Sequence, residues 1–274
     1  MDKIGKSERI AFLSSILTQN PFKIYNFNFF CDRLGCAKST LSEDIDFLSK
    51  VFLDLNLGKI VTISGAAGGV YFVPDISSNE VKAFLNELCN MLSNPERIVP
   101  GGFIYINDIV YNPEILKKAA KVFLKLFADF EIDYIATVEA KGIALASSVS
   151  SIMNKPLVVA RSGSKLTEGS TVNIYYVSGT TGKIETMTIA KRAVKKASKV
   201  LFIDDFMRGG GTVKGMKDLM NEFESELIGV GVLISTGKTK EKNIDNCKPL
   251  LLLDQFDVEN KILSFKVNNE ILGN

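Results

Sequence analysis

The run Val200-Leu201-Phe202-Ile203-Asp204-Asp205-Phe206-Met207-Arg208-Gly209-Gly210-Gly211-Thr212 concentrates more potential chemistry than any other part of the chain. Four apolar residues read as a buried parallel strand, and a helical pattern resumes from Val213 to Phe223. In an open α/β sheet, ligands bind at the carboxyl ends of strands. There the first amides of the next helix and its dipole attract phosphate. The three glycines let backbone approach an anion closely, and Thr212 adds a hydroxyl. Asp204 and Asp205, expected where the strand ends, offer charged acceptors for the hydroxyls of a ribose beside that phosphate. The candidate ligand contacts are therefore Asp204, Asp205, Phe206, Met207, Arg208, Gly209, Gly210, Gly211 and Thr212. The plainer alternative is a tight turn whose aspartates only cap a helix.

A second loop repeats the logic. In Ala136-Thr137-Val138-Glu139-Ala140-Lys141-Gly142-Ile143 a strand ends, Lys141-Gly142 turns, and a helix begins. Ala140, Lys141 and Gly142 are the candidates here, with one ammonium and exposed amides for a second phosphate group. Phosphate sites at two strand ends suit a ligand with two phosphorylated positions better than a nucleoside monophosphate.

The elements that must position these loops alternate from about Pro100 onward. Phe103–Ile106, Tyr134–Val138, Leu157–Ala160, Val200–Ile203 and Ile228–Ile234 read as strands, and Pro113–Phe130, Gly142–Met153 and Val213–Phe223 as helices. A hairpin of Val172–Val177 with Ile184–Ile189 around Ser178-Gly179-Thr180-Thr181-Gly182 interrupts the rhythm. The fold class is α/β, a doubly wound parallel sheet over residues 74–274 with too few βα units for a barrel. Ser77 and Glu80 form a capping box ahead of a helix carrying Val81, Phe84, Leu85, Leu88 and Leu92.

Residues 1–73 read differently. Ser7 is expected to cap a helix with the stripe Ile10, Leu13 and Leu17. A short helix from Phe27 to Leu34 stops at Gly35, and a Thr40–Glu43 capping box opens a third helix burying Leu41, Ile45, Leu48, Phe52 and Leu55. The hairpin Ile60–Ile63 with Val70–Val73, tipped by Ser64-Gly65-Ala66-Ala67-Gly68-Gly69, follows. This order is that of a winged helix-turn-helix, with Lys38, Ser39, Thr40 and Ser42 as candidates to reach DNA. Glu43, Asp44, Asp46 and Asp54 outnumber Lys38 and Lys50, so Glu43 and Asp44 belong off a DNA-facing surface; a dimerisation bundle is the competing arrangement.

Composition excludes several classes. With 46% hydrophobic residues in 274, the chain has enough apolar side chain for two cores and is not disordered. No apolar run nears the roughly 20 residues a bilayer needs, and no export signal opens the chain, so a cytoplasmic protein without membrane contact is expected. There is no histidine, which removes histidine bases and ligands. Cys31, Cys36, Cys89 and Cys247 stand singly and read as reduced thiols; Cys31 and Cys36 read as buried structural thiols rather than a zinc site, and no metal site is expected. Net charge is only +2, yet residues 161–199 hold an excess of six positive charges: Arg161, Lys165, Lys183, Lys191, Arg192, Lys195, Lys196 and Lys199 against Glu168 and Glu185. That run either faces an anion or is a solvated surface.

The hydrophobic run, paired aspartates and Gly210-Gly211-Thr212 resemble the phosphoribosyl pyrophosphate (PRPP) loop of type I phosphoribosyltransferases, whose pyrophosphate loop corresponds to Ala140-Lys141-Gly142. Members usually place threonine before the glycine pair; here Arg208-Gly209 stands instead. Nearly the whole chain resembles the purine operon repressors of Gram-positive bacteria. The specific stretches are Ala37-Lys38-Ser39, Ser64–Gly69, Asn94-Pro95-Glu96-Arg97-Ile98-Val99-Pro100-Gly101-Gly102, Thr167-Glu168-Gly169-Ser170-Thr171-Val172 and the Asp204–Thr212 loop. The resemblance implies a homodimer that binds operator DNA at purine genes and is released by PRPP. It also implies guanosine tetraphosphate as a competing co-repressor and no catalysis. No cofactor is required; pyrophosphate usually brings magnesium, but the sequence shows no dedicated cage for it. The alternative is an active purine or xanthine phosphoribosyltransferase with an appended regulatory domain, closing the loop Ser162–Ser170, with Lys165 and Glu168, over its substrate.

Overall fold

Helix ends in the N-terminal part are set by backbone geometry more than by side-chain caps. In a computed structural model, which describes residues 4–65, 68–163, 169–178, 182–237, 244 and 246–272, α1 spans Lys6–Gln19. Its N-cap is Gly5, whose amide donates to Glu8 Oε2 at 2.7 Å, so the expected cap Ser7 lies inside the first turn. Leu13 and Leu17 are fully buried, and Arg9 is buried but for 8% of its surface. Helix α2, Phe27–Leu34, is capped by Asn26, whose Oδ1 accepts from the Phe29 amide at 2.8 Å, and ends at left-handed Gly35.

Helix α3, Lys38–Asp54, starts earlier than the capping box predicts. The Leu41 amide already donates to the Ala37 carbonyl at 3.0 Å, which places Thr40 in the first turn rather than at the cap. Leu41, Ile45, Leu48 and Phe52 are buried as expected, but Leu55 is 62% exposed because the helix ends before it. Asp44, a carboxylate on the inner face, bonds Arg9 Nε at 2.6 Å with side-chain exposures of 2% and 10%. Strands β1 (Gly58–Ile63) and β2 (Gly69–Pro74) pair antiparallel, and Tyr25 exchanges backbone hydrogen bonds with Val70 beside them. The hairpin tip Ala66-Ala67 lies outside the described residues. Phe52 meets Phe72 edge-on at 5.3 Å, closing helices onto wing. Cys31 and Cys36 pack against this core but are half-buried, not buried.

The chain divides into two compact units, Met1–Ser77 with Ser151–Asn154, and Ser78–Ser150 with Lys155–Asn274. In the second, α4 (Ser78–Leu92) buries Val81, Phe84, Leu85, Leu88 and Leu92, the five residues the periodicity selects. The predicted strand Phe103–Ile106 is not part of the main sheet. Only Phe103–Ile104 (β4) is extended, paired with Ile98–Val99 (β3), because Ile106 caps the short helix α5, Asn107–Val110. Helix α6, Pro113–Leu126, has proline at its first position and Asn112 accepting from the Glu114 and Ile115 amides. It stops short of Phe130.

The main sheet contains β5 (Tyr134–Val138), β6 (Leu157–Ala160), β9 (Lys199–Met207), β10 (Glu226–Thr236), β11 (Cys247–Asp257) and β12 (Ile262–Val267). The order is β6-β5-β9-β10-β11-β12, parallel except for β12. Helix α7, Gly142–Met153, links β5 to β6, and α8, Gly211–Glu222, links β9 to β10. Val200, Leu201, Phe202 and Ile203 are fully buried, and the β7–β8 hairpin (Thr171–Val177, Ile184–Ala190) packs on α8 and beside β6, with Ile174, Tyr176, Met187 and Ile189 in the shared core. Alternating strand and helix gives no sign of β11 or β12, which follow β10 without that rhythm. Among the described residues no helix is long and apolar enough to cross a membrane.

Candidate functional site

The sheet order creates the site. From β5 the chain crosses to β6 on one side, and from β9 it crosses to β10 on the other. Between two strands whose crossovers diverge, neither crossover covers the carboxyl ends, so a crevice opens there. Pairing of β5 with β9 stops at Ala136↔Phe202, and beyond it the strands part. The resulting cleft, about 330 Å³, is lined by Glu139, Ala140, Lys141 and Gly142 after β5, by Asp204, Asp205 and Phe206 of β9, and by Thr212 of α8. That is within the range of small-ligand pockets.

The aspartates do not follow the end of a strand. Strand β9 continues to Met207, with Asp204 opposite Val232, Phe206 opposite Ile234 and Met207 opposite Ser235. The continued ladder with β10 holds both carboxylates rigidly at the cleft, where they are buried (7% and 8% exposed) and the Asp205 amide donates to Asp204 Oδ1 at 3.0 Å. Burial, then the charge of Asp205, pushes the Asp204 carboxyl well above the usual carboxylate range. Burial raises Asp205 too, against the pull of the Asp204 hydrogen bond and of the Lys141 charge.

Two helix N-termini flank this pair. Gly210 is the N-cap of α8 at φ 77°, a left-handed position that a side-chain-bearing residue adopts only at a cost. It supplies no side-chain cap, so the first amides of α8 stay open to an anion. At the other terminus Gly142 is required by crowding: a Cβ there would lie 2.5 Å from Asp204 Oδ1 and 2.6 Å from Thr137 Oγ1. The Glu139–Ala140 peptide is cis. Thr137 is fully buried, and its Oγ1 finds no partner among the described residues.

The other loop residues are dispersed. Met207 is buried in the apolar core, Arg208 and Gly209 are exposed, and the Arg208 carbonyl accepts from Thr236 Oγ1 at 2.7 Å. Gly211 opens α8 but lines a separate groove with Tyr175 and Lys214. The cleft is also lined by Tyr176, Thr186 and Met187, which the sequence did not single out, and by Arg161, Ser162, Ser178 and Glu185, which it placed only in the basic run, the closing loop or the hairpin. Arg161 follows β6, next to β5, and the strand-end rule that picked the other loops applies to it equally. Ser162 donates from its amide and hydroxyl to Glu139 Oε1 at 2.8 and 3.0 Å. Tyr176, opposite Glu185 in the hairpin, donates to Glu185 Oε2 at 3.0 Å; burial and that carboxylate push its hydroxyl up to about 12. Lys165, Thr167, Glu168, Gly179, Thr180 and Thr181 lie outside the described residues.

The basic run divides. Lys196 pairs with Glu224 at 2.6 Å and Lys199 with Glu131 at 2.5 Å, whereas Lys191, Arg192 and Lys195 are exposed. In the winged helix, Lys38 and Ser39 are exposed and Thr40 and Ser42 half-buried along the start of α3, while Asp44 is turned inward to Arg9.

The comparisons agree with this architecture. The sequence model described as "Bacterial purine repressor, N-terminal" matches residues 5–74, and that of the "Phosphoribosyl transferase domain" matches residues 106–270. A "Probable purine biosynthesis transcriptional regulator PurR" of Streptococcus pneumoniae is 41% identical over 268 residues, covering 97% of this chain and 98% of the relative. A "Purine biosynthesis transcriptional repressor PurR" of Bacillus subtilis is 40% identical, covering 97% and 94%. A "Purine biosynthesis transcriptional activator PurR" of Lactococcus lactis is 34% identical, covering 96% and 97%. Among solved structures, adenine phosphoribosyltransferases of Thermoanaerobacter pseudethanolicus and Saccharomyces cerevisiae share the fold. Each has a TM-score of 0.53 and covers 61% of this chain and 98% of the other, at 18% and 20% identity. With a winged helix ahead of a phosphoribosyltransferase domain over nearly its full length, the chain belongs to the bacterial purine repressor family of transcriptional regulators.

Proposed function

We propose that the chain is a homodimeric repressor of purine biosynthesis and transport genes that binds operator DNA and is released by PRPP. One observation carries the reading: a buried carboxylate pair sits between two helix N-termini at the switch point of the sheet. The spacing suits a ribose hydroxyl edge on Asp204 and Asp205, the 5′-phosphate on the α8 terminus through Gly210, Gly211 and Thr212, and pyrophosphate on Ala140, Lys141 and Gly142. Magnesium would arrive on the pyrophosphate oxygens. Guanosine tetraphosphate, phosphorylated at both ends of its ribose, would compete for the same two anion sites. The transferase fold then works as a sensor in the cytoplasm. An operator mobility shift with and without PRPP, and with and without chelator, tests this; persistence of the shifted complex at saturating PRPP refutes it.

The transferase reading is separable. A xanthine phosphoribosyltransferase of Ligilactobacillus salivarius is 33% identical over 141 residues, half of this chain. Pyrophosphate release from PRPP with adenine, guanine, hypoxanthine or xanthine would establish catalysis; none is expected. The Lactococcus lactis relative's name raises activation as a second reading. Deleting the gene separates the two, since purine transcripts rise for a repressor and fall for an activator.

Gly210→Val is expected to abolish PRPP binding while leaving the far-UV circular dichroism spectrum normal, because it strains one left-handed residue at the anion site. Global unfolding would instead mean that the glycine only permits a turn. On the DNA side, Lys38→Ala should weaken all sequences alike and lower the salt slope by about one phosphate contact. Ser39→Ala or Ser42→Ala should lower discrimination between operator and random DNA. Binding titrations at several salt concentrations check both.

A further inference from the structure

We propose that Cys31 and Cys36 form a peroxide-responsive dithiol site in the turn of the helix-turn-helix, whose oxidation to a disulfide lowers operator affinity. The inference rests on the assignment of the start of α3 to DNA.

The geometry comes from the end of α2. Gly35 takes the left-handed conformation (φ 59°, ψ 36°) just past the last helical residue. Such an ending turns the chain back at the helix terminus. Cys31 stands in the last turn of α2 and Cys36 directly after Gly35. Both pack against the helical core, and both are half-buried, so neither is sealed from a small oxidant. The Cys36 thiol lies close enough to Cys31 to act on it as a hydrogen-bonding neighbour; burial and that neighbour together raise the Cys31 thiol. Two cations are in electrostatic reach, Lys38 of Cys31 and Arg9 of Cys36. Among the described residues no third ligand completes a metal site.

The chemistry balances with hydrogen peroxide as oxidant. The Cys36 sulfur attacks one peroxide oxygen, the O–O bond breaks, and the departing hydroxide takes the thiol proton as water, leaving a sulfenic acid. Cys31 is the resolving thiol. Its sulfur attacks Cys36 Sγ, the S–O bond breaks, and hydroxide leaves with the Cys31 proton as a second water. Two thiols lose two electrons, and one peroxide becomes two waters. The sulfurs must then close to about 2.05 Å. That contraction pulls on the turn Gly35-Cys36, and Lys38 and Ser39 stand immediately after it at the start of α3.

The full-length protein, treated with hydrogen peroxide and digested without reductant, should yield a Cys31–Cys36 linked peptide lighter by two hydrogens, with Cys89 and Cys247 still alkylatable. Operator affinity should fall at least about tenfold, recover with dithiothreitol, and be insensitive to peroxide in Cys31→Ser and Cys36→Ser. Absence of the linked peptide overturns the proposal, as does unchanged operator affinity once the disulfide is quantitative. Failure of the DNA assignment is read separately: Lys38→Ala would leave operator affinity intact, whatever the thiols do.

Discussion

An Asp204→Asn/Asp205→Asn protein should lose its response to PRPP and at the same time melt at a higher temperature than the parent. Charged hydrogen bonds to ligand hydroxyls contribute about 1.5–3 kcal/mol each, so PRPP should bind at least tenfold more weakly and operator release should fail. Stability moves the other way because the two carboxylates are buried side by side with their pKa values raised. A carboxyl raised in the folded state costs nothing below its unfolded value near pH 3.8, and the cost develops as pH climbs through the folded value. Asparagine removes that cost. The gain should be about 0.5–2 kcal/mol at pH 7, roughly 2–4 °C in melting temperature per kcal/mol, shrinking as pH is lowered. Melting curves from pH 4 to 8, alongside PRPP titrations, check it. A double variant that melts lower than the parent at neutral pH would show that the pair is structural rather than a preorganised clamp.

Asp44→Ala is expected to have an equally large effect in the other unit. The carboxylate sits on the inner face of α3 against Arg9, at 2.6 Å and almost out of water. Removing it leaves a guanidinium buried without its partner, an arrangement far more costly than the intact pair is stabilising. The folding equilibrium of the N-terminal unit should shift by about a hundredfold toward unfolded. The expected observation is a separate low-temperature transition by calorimetry, lost operator binding and retained PRPP binding. Arg9→Met/Asp44→Leu, which replaces the pair by apolar groups, should recover most of the stability. If Asp44→Ala alone melts like the parent, the pair is idle.

Much of this was legible in the chain. Strands β5 and β6 and helices α2 and α7 fall where the apolar runs and their punctuating glycines and asparagines place them. The starts of α1 and α3 were displaced because Gly5 and Ala37 cap without a side-chain hydrogen bond like that of Asn26, while Ser7 after the one and the Thr40–Glu43 pair after the other imitate caps. The aspartates were placed past a strand end because the local apolar run stops at Ile203, whereas the extended backbone is sustained to Met207 by a partner, β10, distant in sequence. The cleft wall of Tyr176, Glu185, Thr186 and Met187 was not legible, since a hairpin inserted between βα units is folded onto the site by tertiary packing on α8. Local periodicity does not encode that.

The parting of β5 from β9 has a dynamic consequence. Three residue pairs, Tyr134↔Val200 to Ala136↔Phe202, hold these strands together, against eight between β9 and β10. The sheet is thus weakest in hydrogen bonds along the line where its chemistry sits, and an amide bordering that line, such as that of Val138, should exchange with solvent sooner than those of β10. A ligand gripped by both strand ends would act as a suture across this line. Its binding would then register as slowed exchange in the centre of the sheet, far beyond the few groups it touches.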